Sequence, residues 1–573
     1  MKRYKAMIAG ELAPLLEGVE PEQLAGQIET PPDPAMGDLS LPCFRFAKTL
    51  RRSPQAIAEA WRQRLMLDAF ERVEAVSGYL NFYFHRERFA RDVLQAVSME
   101  GTSYGSQTVG RGKTIVIDFS SPNIAKPFHV AHLRSTVIGN ALRRIFAFLG
   151  YRCVGVNHLG DWGTQFGKLI VAYRAWGDPD AVEAGGIDEL LRLYVKFHDE
   201  AEREPALEDE ARAWFARMES GDEEALALWR RFVDVSMKEF RKMYDLLGVE
   251  FDSYAGESFY NDKMDAVVDE LKAKGLLVED QGAQLVKLDD YGMPPALILK
   301  KDGSSLYHTR DIAAALYRKA AYDFHKAIYV TDYAQNLHFK QWFKIVELMG
   351  REWAGDLEHV AFGRVSLEGM SLSTRKGNIV KLEDVLRQAI AKTKSIMEER
   401  NPGLPNKDEV ARQVGVGAIV FNDLSGNRIK DISFSWEDAL SFEGETGPYV
   451  QYAHARASSV LQKAAAKFGA AAEAPAAANR SYAALTDDAS FRLIKEIASF
   501  GERVEWAMEK LEPSIVSRYL IDLAQAFNRF YHENPILVDD ASAREARLAL
   551  VGGAKQTLRN GLALIGLEAP ESM

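Results

Sequence analysis

The chain has 573 residues, enough for three or four domains, and its 47% apolar and 27% charged residues exclude disordered, fibrous and collagen-like classes. With 71 basic against 82 acidic residues the net charge is −11, so the chain is not a bulk-basic nucleic-acid coat, although a local basic face remains open to it. Cys43 and Cys153 lie far apart without CxxC spacing, no run approaches ~18 apolar residues, and the opening MKRYKAMIAGELAPLL lacks a signal core; a soluble cytoplasmic protein without disulfides, structural zinc or a membrane partner is expected.

In chain order, the pattern predicts helices at 24–28, 44–50 and 55–65, then a hairpin over 73–84 (VEAVSGYLNFYF). The stretch 101–112 (GTSYGSQTVGRG) is a break, setting off an N-terminal α+β domain of 1–108. A buried-type strand at 113–119 (KTIVIDF), a long helix from 132 to 149 and a second apolar run at 151–156 make the βαβ signature of a parallel sheet. A charge-rich, mostly helical insertion spans about 181–295. The α/β pattern is expected to resume with strand 296–301, helix 309–321, strand 327–330 and helix 337–348, completing a Rossmann-like catalytic domain of 109–381. From 382 to 573 the periodicity is almost wholly helical, a bundle interrupted by the Ala-rich loop 469–481. The fold class is therefore multidomain α/β with an all-α C-terminal domain.

The segment 118–144, DFSSPNIAKPFHVAHLRSTVIGNALRR, carries the most chemistry. His129 and His132 sit three apart where a helix begins, so both imidazoles share one face of its first turn. Helix N-termini favour anions, and Lys126 adds a formal charge there. A phosphate-binding constellation follows, with the imidazoles as hydrogen-bond donors. Half of a metal site, for which no further ligands stand out, and ordinary surface histidines remain open as readings of the pair alone.

This segment resembles the HIGH signature of class I aminoacyl-tRNA synthetases in its arginyl version: Ser121, Pro122, Asn123, Ala125, Lys126, His129, His132, Leu133, Arg134, Ser135, Thr136, Ile138 and Gly139 all fit, with Ala131 in place of the usual glycine. The stretch 157–166 (NHLGDWGTQF) extends the likeness. The resemblance implies an arginine–tRNA ligase that activates L-arginine with ATP, aided by Mg²⁺, and esterifies tRNA(Arg), with tRNA needed even for activation. It implies ATP contacts from Pro122, Phe128, His129, His132 and Gly139. For arginine it implies Asp118, Ser121, Asn123, His129, Tyr307, Asp311 and Gln335, with His338 a lesser candidate. Tyr307 and Asp311, in YHTRD, lie four apart on one helical face, and a planar carboxylate suits a guanidinium as no lysine partner does.

The family's second signature, a lysine-rich loop, corresponds to 369–378 (GMSLSTRKGN). Its leading lysine is missing: without a gap the position is Ser371, and with a two-residue insertion the match is Met370–Ser371 followed by Thr374–Arg375. Thr374 and Gly377 complete the implied ATP loop. Lys126, with Arg375 and Lys376, is expected to supply the missing charge. A catalytically inactive tRNA-binding paralogue is the alternative, disfavoured by the intact His129, His132, Asn123 and Gln335.

Tyr449, Tyr452 and Arg456 fall at i, i+3 and i+7, one face suited to stacking on unpaired bases or to a half-buried core stripe. By resemblance they belong to an anticodon-binding bundle in which Tyr531 and Met573 also approach the anticodon loop. Asn81 and Tyr83, on the predicted hairpin, are the corresponding candidates for the tRNA D-loop, or packing residues. A monomer is expected.

Overall fold

The computed structural model describes residues 1–65, 67–301, 307–367, 370–371, 380–469 and 480–573. Its N-terminal part comprises α1 (Lys2–Leu12), α2 (Pro21–Ala25), β1 (Leu39–Pro42), α3 (Ala47–Leu50), α4 (Pro54–Arg64), β2 (Phe70–Val76), β3 (Tyr79–Phe84) and α5 (Arg86–Glu100). The expected hairpin is β2–β3. Ser77 and Gly78 both take positive φ at its turn, as a two-residue hairpin loop requires. The three strands run antiparallel in the order β1-β3-β2.

Next come β4 (Thr114–Asp118), α6 (Val130–Phe148) and β5 (Arg152–Val156), followed by α7 (Thr164–Trp176), α8 (Pro179–Ala201), α9 (Ala206–Glu219), α10 (Glu223–Leu247) and α11 (Met264–Ala273). Beyond these lie β6 (Leu277–Asp280), β7 (Ala283–Val286), β8 (Ala296–Leu299), α12 (Tyr307–Tyr322), β9 (Lys326–Asp332), α13 (Asn336–Leu348) and β10 (Leu357–Phe362). The parallel sheet has the order β10-β9-β4-β5. Its strands are apolar on both faces because both are covered. Ile115, Ile117 and Val330 join one core with α6, while Val116, Val154 and Tyr329 join another with Ile312 of α12 and Trp342 of α13.

One expectation is corrected. The apolar run at 296 does not resume the parallel sheet; β8 pairs antiparallel with β7, which pairs with β6, in a separate three-stranded sheet. A four-residue apolar strand says that it is buried, not which neighbour it has.

Finally β11 (Val365–Leu367) pairs antiparallel with β12 (Met370–Ser371), and α14 (Leu382–Arg400) and α15 (Lys407–Leu424) follow. Then come β13 (Ile432–Phe434), parallel to β11, and α16 (Trp436–Ala439), α17 (Gly447–Phe468), α18 (Asp488–Lys510), α19 (Ser514–Glu533) and α20 (Ala541–Leu564). Among the described residues the C-terminal region is thus helical apart from one short strand. Arg134 of α6 (Nε) pairs with Asp423 of α15 at 3.3 Å, both almost fully buried, joining bundle to sheet. Among the described residues no helix is long and apolar enough to cross a membrane.

Candidate active site

Strand order reverses between β4 and β9: the chain leaves β4 for β5 on one side and later returns to β9 on the other. In open α/β sheets, ligands bind at the carboxyl ends of the strands flanking such a switch point. Here those ends carry Asp118, Ser120, Ser121 and Asn123 after β4, and Asp332 and Gln335 after β9. Ser120, Ser121 and Ala125 have φ of 70°, 46° and 61°. Such left-handed non-glycine residues persist only where the surroundings over-determine them, commonly at functional sites.

His129 caps α6, and the two histidines form a reciprocal capping box. His132 Nδ1 accepts the backbone N–H of His129 at 3.2 Å, and the His129 ring accepts the backbone N–H of His132. Each ring thus uses one nitrogen as acceptor, which puts the proton of the neutral ring on the other. The rings stack with centroids 3.7 Å apart. Burial, and then Lys126, push His129 down to about 4; burial, then His129 and Lys126, hold His132 well below its usual value. Burial also lowers Lys126. The result is a pair of neutral donors and a partly desolvated ammonium at the positive end of a helix dipole, an arrangement whose chemistry suits anionic oxygens.

Phe128 is buried against His132, Phe240 and Tyr244, so it supports the signature from behind. Pro122 is likewise buried, its carbonyl accepting from Gly160. Gly139, expected among the ATP contacts, sits in the packing of α6 on the end of β4, where a Cβ would lie 2.2 Å from the Phe119 ring. The second-signature residues Thr374, Arg375, Lys376 and Gly377 lie outside the described residues, and Met370–Ser371 form β12. The chain re-enters beside the first signature: Val130 N–H donates to Val380 O, Leu382 N–H to Phe128 O, and Lys381 bridges to His129.

On the other side of the switch point, Tyr307 opens α12 and is 66% exposed, with Asp311 one turn later. Asp311 Oδ2 lies 2.5 Å from His338 Nε2, which leaves Oδ1 for another donor. Gln335 is exposed just before α13. Asn123 is exposed and lies against Gly160, where a Cβ would meet its Oδ1 at 2.0 Å. Asp118, expected among the arginine contacts, is already paired within the protein. Its Oδ2 is 2.8 Å from Nη1 of Arg318, fully buried on α12, and its Oδ1 accepts from Ser121 Oγ at 3.0 Å. The internal guanidinium already takes that charge.

Glu257 is an acid that sequence reasoning missed. Burial pushes its carboxyl up to about 7, Arg310 opposes the shift, and Asp161 and Asp311 add to it. It lies 3.6 Å from Arg310, the residue before Asp311. Its only signal in the sequence is a lone acid after glycine, which burial alone makes meaningful.

Four of the aromatic-face candidates come together. Arg456 lies over the Tyr452 and Tyr531 rings at 4.8 and 5.3 Å and donates to Asn528 Oδ1, while Asn528 Nδ2 donates to the Tyr449 hydroxyl. Tyr452 and Tyr531 are each 37% exposed. Met573 is instead held where α14 ends, its carbonyl accepting from Asn401. Tyr83 is half-buried under Arg72 and donates to Ala35 O. Asn81 is not available to a partner. It is 1% exposed and accepts from Ser40 Oγ at 2.6 Å, because β3 is the central strand and Gly37 folds over its Cβ.

A parallel sheet whose first crossover helix is capped by paired imidazoles at the switch point is the catalytic arrangement of class I tRNA synthetases, and the family profile "tRNA synthetases class I (R), catalytic domain" matches residues 93–436. Flanking it, "Arginyl tRNA synthetase N terminal domain" matches 2–84 and "DALR anticodon binding domain" matches 450–573. The chain belongs to the arginyl-tRNA synthetase family. It is 57% identical to the arginine–tRNA ligase of Alkaliphilus metalliredigens and 52% to that of Clostridioides difficile, each match covering all of both chains. The solved arginyl-tRNA synthetase of Thermus thermophilus, 28% identical, superposes over all of both chains with a TM-score of 0.82.

Proposed function

We propose the following division of labour for arginine–tRNA ligation by this chain. Asp311, with Glu257 beside it, receives the substrate guanidinium, and Tyr307 covers it from the start of α12. Asn123 and Gln335, on the two strand ends, hold the α-amino group. Ser121 and the Arg318-paired Asp118 form the wall between them. His129 and His132 donate to ATP phosphate oxygens. Lys126, joined by Arg375 and Lys376, offsets the charge that grows on the triphosphate. Mg²⁺ arrives with ATP as part of the substrate.

The arginine carboxylate attacks the α-phosphorus in line, and the bond to the bridging oxygen breaks with release of pyrophosphate. A terminal ribose hydroxyl of tRNA(Arg) then attacks the carbonyl carbon of the adenylate, and AMP leaves. No side chain acts as nucleophile; alignment and charge compensation supply the acceleration. The tRNA is held in part by Tyr449, Tyr452, Arg456 and Tyr531, and the working form is a cytoplasmic monomer.

The observation that carries this reading is the stacked, mutually capping imidazole pair at the start of α6, with Lys126 three residues before it, across the switch point from Asp311. Aminoacylation assays with arginine, lysine and citrulline on purified tRNA test the pocket, with arginine strongly preferred. Lys126→Ala tests the charge assignment: adenylate formation falls at least about tenfold, and undiminished formation refutes it.

A further inference from the structure

The turn that follows β4 holds three non-glycine residues in left-handed backbone, Ser120, Ser121 and Ala125. Two of them are held by a single helix from the inserted region. Ser236 of α10, fully buried, accepts the backbone N–H of Ala125 on its Oγ at 2.9 Å, and its hydroxyl donates to Phe232 O at 2.8 Å. Eight residues on, and so on the same side of the helix, the Tyr244 hydroxyl lies 2.9 Å from Ser120 Oγ and accepts from Asn157 Nδ2 at 2.8 Å.

Ser120 has further partners on α6, and Gly160 bonds the backbone of Pro122 and Ile124. Ser120 N–H donates to Ser135 Oγ at 2.8 Å, and Thr136 Oγ1 lies 2.8 Å from both Ser120 Oγ and the His132 carbonyl. The Tyr244 ring packs at right angles on Phe128, centroids 5.6 Å apart, and Phe128 packs on His132. One tyrosine therefore touches the turns after β4 and after β5 and the back of the signature.

We infer that Ser236 and Tyr244 are positioning residues of the arginine-activating site. They hold residues 120–126 in a backbone shape that their side chains disfavour, and thereby aim Asn123 and Lys126. Strain of this kind survives only under several simultaneous restraints. Among the described residues, the hydroxyl of Tyr244 and the Oγ of Ser236 are the inserted region's two side-chain hydrogen-bond partners of residues 120–126. The inserted helices act on the chemistry without touching substrate. The inference rests on the assignment of Asn123 and Lys126 to the substrates.

The test is Ser236→Ala and Tyr244→Phe in the full chain, which remove a hydroxyl each and leave the packing, with Lys126→Ala run in parallel. The readout is kcat per titrated active site, and KM for arginine, ATP and tRNA, in arginine- and tRNA-dependent pyrophosphate exchange. Each variant lowers kcat/KM for arginine about tenfold, since small misplacements of aligned groups cost this much, while KM for tRNA stays within twofold. Ala125→Gly placed in the Ser236→Ala chain recovers most of the loss, because glycine takes positive φ without strain; a purely structural role for Ser236 gives no such recovery. Wild-type kinetics per active site in both variants, beside an impaired Lys126→Ala, overturns the clamp. A fully active Lys126→Ala overturns the assignment beneath it, and the inference with it.

Discussion

Asp311→Asn isolates the charge that selects the amino acid. The substituted amide keeps the shape and leaves Oδ1 as an acceptor, but the carboxylate charge facing the substrate is gone. The side chain is 27% accessible and already receives His338 at 2.5 Å, so the surroundings are neither dry nor fully wet. A hydrogen bond to a charged group contributes about 1.5–3 kcal/mol, and partial solvent access favours the middle of that range. A loss of about 2 kcal/mol is roughly thirtyfold in kcat/KM for arginine. Citrulline, whose ureido group is neutral, should lose much less, so the preference for arginine over citrulline narrows. Steady-state aminoacylation with both amino acids, alongside a melting curve, reads this directly. An equal loss for the two substrates, or an arginine kcat/KM within fivefold of wild type, would falsify the guanidinium assignment.

Gly139→Ala drives a methyl to 2.2 Å from the buried Phe119 ring; it should cost about 1–3 kcal/mol of stability, seen as a lower melting temperature that Phe119→Leu in the same chain partly restores. Glu257, with its carboxyl pushed up to about 7 by burial, is neutral below that pH and charged above it. KM for arginine should therefore fall as pH rises from about 6 to 8, and Glu257→Gln should flatten that profile; a persistent slope in the variant assigns it elsewhere. Tyr452→Ala and Tyr531→Ala each remove an exposed ring stacked near Arg456. Each should raise KM for tRNA about tenfold while leaving KM for ATP unchanged, and an unchanged tRNA KM returns those rings to packing.

Much of this was legible in the sequence because it is local. Helix periodicity placed α6 and marked the insertion and the C-terminal region as helical, since one apolar face per 3.6 residues is written in neighbouring positions. The two histidines three apart and the tyrosine four before an aspartate each reflect a single helical turn, and the lysine three before them sits in the short turn that leads into α6. The resemblance of that short stretch to one family then carried the activity, and the full-length match to arginine–tRNA ligases agrees with it.

Other features depend on partners far along the chain. That Asp118 is neutralised is decided by Arg318, two hundred residues later, and that Asn81 is sealed is decided by Gly37 and Ser40 folding over β3. That 296–299 joins an antiparallel sheet is set by its pairing with β7, and Glu257 gains its raised carboxyl only from burial near Asp311. The amino-acid order by itself determined the βαβ start of the catalytic domain, the helical C-terminal region, the signature motif and the family, because backbone periodicity and one-turn spacing are short-range, while α1 and α5 were not read from it. Only the tertiary structure decided which charges are free and which are already paired, because desolvation and ion pairing are properties of a neighbourhood that distant segments build together.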